Sequence, residues 1–181
     1  MAVSLLGICG SERKASINRS LLVAIGETLP EGAELAVWDS LDVAIFNDDA
    51  REPERVAALR QAIGDANGVV FAVPEYNYSI PGGLKNVLDW LSSPSARSPL
   101  RGKPVAVVGA ASGMGGTIRA QLHMRQILLF SDSQVLAQPE VLIPRAHERF
   151  DATGRLTDEP TRALLAMFGS AMAAFVGRHT G

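Results

Sequence analysis

The run from Val3 to Asn18, VSLLGICGSERKASIN, constrains the fold more than any other part of the chain. Val3, Leu5, Leu6, Ile8 and Cys9 leave almost no polar position, as expected of a strand covered on both faces of a parallel sheet. The character then changes within one residue. Gly10, Ser11, Arg13, Ser16 and Asn18 either donate hydrogen bonds or let a backbone come close. From Asn18 onward, Leu21, Leu22, Ile25 and Leu29 recur at helical spacing, and Pro30 closes the pattern. A buried strand thus feeds a donor-rich loop and then a helix N-terminus, which is a natural phosphate site.

Three better-known anion loops do not fit. The chain lacks G-x-x-x-x-G-K-[ST], so a P-loop NTPase is excluded. Its first turn lacks G-x-G-x-x-G, the start of a dinucleotide fold. A cysteine phosphatase needs an arginine several residues beyond its thiolate, but Arg13 comes too early and Ala15 stands where it is required. Cys9 therefore reads as a core residue at the end of the first strand.

The rest of the chain repeats the alternation. Ala33 to Trp38 reads as a second strand, followed by an acidic loop from Asp39 to Ala50. Pro53 opens a helix whose inward stripe is Val56, Leu59 and Ile63, with Asn67-Gly68 at its end. Val69 to Val73 is a third buried strand, and PEYNYSIPGG follows it. A helix begins near Gly82-Gly83, where the backbone is expected to turn, and buries Leu84, Val87, Leu88 and Leu91. Ser92 to Gly102 is a loop, and Pro104 to Val108 a fourth buried strand. Gly109 to Gly116 is glycine-rich and precedes a helix over Thr117 to Phe130. Gln134 to Ala137 or Glu140 to Ile143 supplies the fifth strand, since Pro139 disfavours one continuous strand. Thr157, Asp158 and Pro160 open a last helix with the stripe Leu164, Phe168, Ala171, Met172 and Phe175.

About five strand–helix alternations predict an α/β fold, a doubly wound parallel sheet in the order 2-1-3-4-5 with helices on both faces. The polar loops after strands one, three and four then lie side by side at the switch point, where one ligand reaches all three.

With 181 residues the chain is expected to form a single domain over 1–181. A net charge of −2 disfavours nucleic acid as a partner. The single cysteine fits a reducing, cytoplasmic location. No apolar run approaches membrane-spanning length, no membrane partner is expected, and no secretory leader is recognisable. No Asp–His–Ser or Cys–His set is evident, nor any metal-ligand spacing. His123 reads as a packing or subunit-contact residue, and Trp38 and Trp90 as packing residues.

GSERKASIN resembles the G-S-x-R-x-x-S-x-N phosphate loop of the NAD(P)H-dependent FMN reductases. This flavodoxin-like family includes quinone, chromate and azo-compound reductases. PEYNYSIPGGLKNVLDW is similar to the family's second signature, and Ala111 to Gly116 with HMRQIL to its third. The resemblance implies that Ser11, Arg13, Ser16 and Asn18, with the Ile17 backbone, hold the phosphate of bound FMN. It implies that Pro74, Glu75, Tyr76 and Asn77 line the flavin ring and ribityl chain, and that Ser112 and Gly113 close the far side. No side chain need act as an acid or base, because the flavin carries the chemistry. NAD(P)H would supply hydride for a small acceptor such as a quinone, free flavin, azo compound or chromate. A homodimer or homotetramer is implied as well.

The alternative is a flavodoxin-like electron carrier without turnover, although such carriers are usually strongly acidic. A third possibility is a flavin-binding regulatory module. VVGAASGMGG resembles the cofactor loop of short-chain dehydrogenases, but it follows the fourth strand and no tyrosine occurs after Tyr78, which discards that reading.

Overall fold

The computed structural model describes residues 2–179. Six parallel strands form one sheet: β1 (Val3–Cys9), β2 (Ala33–Val37), β3 (Gly68–Ala72), β4 (Pro104–Ala110), β5 (Gln134–Val135) and β6 (Val141–Ile143). The order is β2-β1-β3-β4-β5, and β6 also pairs with β4. This is the expected doubly wound topology. Four helices connect the strands, α1 (Ile17–Glu27), α2 (Glu54–Asp65), α3 (Gly82–Ser92) and α4 (Ile118–Phe130), and α5 (Glu159–His179) follows β6.

Strand periodicity sorts the helices into two layers. Leu5, Cys9, Val70, Ala72, Ala106 and Val108 face one cluster, completed by Leu21, Leu22 and Ile25 of α1 and Leu165, Phe168 and Met172 of α5. Leu6, Ile8, Val69, Phe71, Val105 and Val107 face the other, filled by α2, α3 and α4. Both faces are covered, which is why the strands read as nearly unbroken apolar runs.

Several boundaries differ from the sequence reading. Helix α2 stops at Asp65, and Gly68 opens β3 instead of ending the helix. A Cβ on Gly68 would lie 2.8 Å from Met172 Cε and 2.9 Å from Val176 Cγ2, so glycine here admits α5. Asn67 anchors the join, its Oδ1 accepting from the Ser4 N–H at 2.8 Å. Gly82 and Gly83 lie inside α3 without positive φ, so they provide no special turn. Strand β4 runs on through Gly109 to Ala110. Both candidates for the fifth strand are real. Pro139 separates two short strands, and each pairs with a different part of β4.

Helix α5 begins at the expected cap. Asp158 accepts from the Thr161 N–H at 2.9 Å and the Thr161 hydroxyl at 2.6 Å. The hydroxyl contact leads in holding the Asp158 carboxyl below its ordinary pKa. The buried stripe is Leu165, Phe168, Met172 and Val176, while Leu164, Ala171 and Phe175 are only half-buried. At 21 residues and a mean hydropathy of 1.2, α5 is long and apolar enough to span a bilayer, which corrects the expectation that no run approaches that length. One stripe of α5 packs against the core, and a third of its apolar window, 33%, is buried.

Candidate functional site

Strands β1, β3 and β4 are neighbours, and the winding reverses between β1 and β3. The loops leaving their C-terminal ends meet at that reversal. They enclose a cavity of about 170 Å³ lined by Ser11, Arg13, Ser16, Ile17, Asn18, Pro74, Glu75, Tyr76 and Ser112. Ala110 and Ala111 complete the lining. Asn77 and Gly113 are not among the lining residues.

The first loop is built mainly from short-range bonds. Gly10 N–H donates to Ala72 O at 2.9 Å, fixing the exit from β1. Ser16 caps α1 from an extended conformation, its Oγ accepting from Arg19 N–H at 3.4 Å. Ser11 Oγ accepts from Arg13 N–H at 3.4 Å. Both serines are buried, at 4 % and 5 % exposure, and Cys9 Sγ lies 3.5 Å from Ser16 Oγ. Glu12 braces the loop from outside, accepting from Ser40 Oγ at 2.7 Å and Leu41 N–H at 2.6 Å. As the first residues of α1, Ile17 and Asn18 have N–H groups without intrahelical acceptors. Arg13 is exposed and forms no ion pair among the described residues.

Asn18 plays a part that the sequence did not suggest. Its Nδ2 donates to Ala110 O at 3.0 Å, and its Oδ1 accepts from Ala110 N–H at 3.0 Å. The carboxamide therefore clamps α1 to the end of β4.

The second loop is a tight hairpin. Tyr76 and Ser79 exchange two backbone bonds of 2.9 Å, while Asn77 and Tyr78 between them hold φ of 49° and 65°. Positive φ at both central residues defines a type I′ turn, a left-handed conformation that β-carbon-bearing residues adopt at a cost. Long-range contacts hold it. Glu75 accepts from Arg119 N–H at 3.1 Å and Arg119 Nε at 2.6 Å. The Arg119 guanidinium lies 3.9 Å from the centre of the Tyr78 ring. Ser79 Oγ meets His123 Nδ1 at 3.0 Å. His123 is thus a loop contact.

The third loop turns sharply at Gly116 (φ +52°) and Thr117 (φ 70°) before α4. Arg145 N–H donates to Gly113 O at 3.1 Å, which ties the loop to the chain beyond β6.

These groups suit a phosphate ester. Two buried hydroxyls, two unpaired helix N–H groups and one unpaired arginine converge, and Arg119 neutralises Glu75, the one acid lining the cavity. Sequence reasoning missed Arg119, whose signal is spatial, and the Ala110–Ala111 backbone, which has no side-chain signal. A larger cavity of about 420 Å³ lies beside the C-terminal end of α3, lined in part by Arg60 and Trp90. Arg60 is committed there to Glu52 and to the carbonyls of Trp90, Leu91, Ser93 and Arg97, so it offers no free donor.

A 2-1-3-4-5 parallel sheet with an anion-ready loop at its switch point defines a flavodoxin-like nucleotide-binding protein. Residues 3–148 match the family described as NADPH-dependent FMN reductase, and the chain belongs to that family. It is 40% identical to an NAD(P)H-dependent FMN reductase of Pseudomonas aeruginosa over 99% of this chain and 98% of the relative. Identity to a quinone reductase of Escherichia coli K12 is 37%, over 94% of each chain. A flavoenzyme NAD(P)H:(acceptor) oxidoreductase of Paracoccus denitrificans superposes with a TM-score of 0.89 at 32% identity, covering 98% of both chains. Family membership makes the chain a flavin-dependent oxidoreductase, with FMN as its flavin and NAD(P)H as its reductant.

Proposed function

We propose that the chain is a cytoplasmic, single-domain reductase that holds FMN at the switch-point cavity and passes reducing equivalents from NAD(P)H to a small acceptor of the quinone type. Free flavin, azo compounds and chromate belong to the same proposed acceptor range. One observation carries the reading: the cavity collects Ser11, Ser16 and the uncompensated charge of Arg13 beside the α1 N-terminus. Bound FMN supplies the two-electron redox chemistry.

The protein's own residues bind and orient. Ser11, Arg13, Ser16 and the N–H groups of Ile17 and Asn18 hold the phosphate. Pro74, Glu75, Tyr76 and Asn77 form the side toward the ring and ribityl chain, and Ser112 and Gly113 the opposite side. Backbone N–H groups of Ser112 and Gly113 would supply donors to the ring edge where negative charge collects on reduction. No side chain in the cavity is required as a proton donor.

A cavity of about 170 Å³ is below the roughly 300 Å³ usual for a drug-sized ligand, so the flavin ring extends onto the rim. That rim continues into exposed apolar side chains: Met114, then Ile118, Leu122 and Leu129 along one face of α4. This face supports a homodimer or homotetramer that covers the ring. Light scattering should give two or four chain masses, and a monomer at micromolar concentration would contradict it.

Affinities of FMN and riboflavin test the site. FMN should bind far more tightly, and Arg13→Ala should weaken FMN by about 1.5–3 kcal/mol, the scale of a charge-assisted hydrogen bond. Equal affinities for the two flavins would refute the phosphate assignment. Steady-state assays with NADPH or NADH and a quinone should show turnover; its absence in the FMN-loaded protein would leave a carrier or a flavin-binding regulatory module.

A further inference from the structure

The third loop is held by the backbone of the chain that leaves β6. Ala111 N–H donates to Ile143 O at 3.0 Å, Ala146 N–H to Ala111 O at 3.0 Å, and Arg145 N–H to Gly113 O at 3.1 Å. Where the loop ends, Gly116 passes so close to β6 that a Cβ would stand 3.0 Å from the carbonyl carbon of Leu142. Between these flanks, Arg145 supplies the bond to the middle of the loop.

Arg145 holds φ 45° and ψ 45°, a left-handed conformation that a residue with a β-carbon adopts at a cost. The two angles of a residue set the direction of the next N–H relative to its own. In an extended chain successive N–H groups point to opposite sides. A left-handed turn brings them to the same side. Arg145 and Ala146 can therefore both donate to the third loop because Arg145 is left-handed. Its side chain offers little in return: the guanidinium is half-exposed, and Nε stands 3.6 Å from Glu148 Oε2, beyond hydrogen-bond range.

The carbonyls that this segment holds fix the N–H groups that follow them. Within a trans peptide the C=O and the next N–H point in opposite directions. The peptides joining Ala111 to Ser112 and Gly113 to Met114 are both trans. Ala111 O points to Ala146, on the β6 side of β4, so Ser112 N–H points to the β3 side, toward the cavity that Ser112 lines. Gly113 O points to Arg145, so Met114 N–H points away from that segment. Neither N–H has an acceptor among the described residues, and both belong to exposed residues.

We propose that Arg145 is a positioning residue for the redox step: its left-handed backbone, not its guanidinium, aims the third-loop N–H groups at the ring edge where reduction places negative charge. The inference rests on the FMN reading above. Fixed donors at that edge bind the charged, reduced flavin more tightly than the oxidised one, which raises the flavin's midpoint potential.

The FMN-loaded protein, compared with Arg145→Val and Arg145→Gly, provides the test. Branched valine resists the left-handed region, whereas glycine enters it freely. Midpoint potentials come from anaerobic dye-coupled reduction, and the Kd for oxidised FMN from flavin fluorescence. Arg145→Val should weaken reduced FMN about ten-fold relative to oxidised FMN, a midpoint about 30 mV lower for a two-electron couple. The Kd for oxidised FMN should stay within about three-fold. Arg145→Gly should keep both quantities within about two-fold of the parent. Where valine prevents folding, Arg145→Ala takes its place, with a smaller shift in the same direction. An unchanged midpoint in the valine or alanine variant would overturn the proposal. Equal weakening of oxidised and reduced FMN would do so too, since it would leave Arg145 a merely structural role. A glycine variant shifted as far as the valine variant would assign the effect to the guanidinium and overturn it as well. Each of these results leaves the FMN reading intact, whereas a parent protein that takes up no FMN would overturn both.

Discussion

The loops after β1 and β3 sit side by side on adjacent strands, yet they are held in place by different means. The first is closed mainly by its own residues: Ser16 caps the helix it begins, and Ser11 accepts from Arg13 two residues on, with Glu12 and Asn18 reaching out to Ser40, Leu41 and Ala110. The second is gripped from a distance. Glu75 and Ser79 bond to Arg119 and His123, each 44 residues away. Locally closed geometry is suited to a fixed phosphate. On the reading proposed above, a loop clamped by another helix would place the ring surface under the control of α4, the helix whose outer face is apolar and exposed. Tail affinity and ring environment are therefore separable properties of one site.

The strongest way to break this separation is at Asn18, where the first loop meets β4. Asn18→Leu removes both bonds to Ala110 and leaves a buried N–H and C=O unsatisfied. Stability in urea should fall by about 3 kcal/mol, and both flavin affinity and ring environment should suffer. Retention of full stability would mean that the clamp is redundant.

Arg119→Met sharpens the contrast. The arginine is half-exposed, so losing its ion pair with Glu75 should cost about 1 kcal/mol of stability. The gap between FMN and riboflavin affinities should persist, while the visible circular dichroism of bound flavin and the kcat/KM for quinone both change. An affinity gap that collapsed with Arg119 would show that the two loops act as one.

The smallest effect is expected where α3 begins. Gly83 is helical, and a Cβ there meets nothing within 4 Å. Gly83→Ala should stabilise the protein by about 0.4–1 kcal/mol with unchanged flavin affinity. Loss of flavin would show that the start of α3 is coupled to the hairpin.

The same division governs what could be read from the sequence. The strand, buried hydroxyls and cap around the first loop were legible because they lie within one short run. The sheet order followed from three buried runs, β1, β3 and β4, and two weaker strands, separated by helical patterns. What escaped was spatial. The clamp of Asn18 on Ala110 escaped because nothing in the sequence reveals a partner 92 residues away. The grip of Arg119 on the hairpin was invisible for the same reason. Gly68 looked like a helix terminator, since its close approach to Met172 depends on the packing of α5. The α5 stripe was read about one residue out of phase, because half-buried Leu164 and Phe175 look as apolar as buried Leu165 and Val176.

The split at Pro139 has a consequence for how copies of the chain can meet. An uninterrupted outer strand would present a row of free N–H and C=O groups as a template for another chain. Here that border consists of a two-residue strand and a three-residue strand, offset along β4. The opposite border, β2, has only five residues, none fully buried. The split border offers no ladder long enough to recruit a neighbour by strand addition, and the β2 border offers only a short one. Crowded molecules are thereby steered away from cross-β aggregation, and productive association is left to helical surfaces.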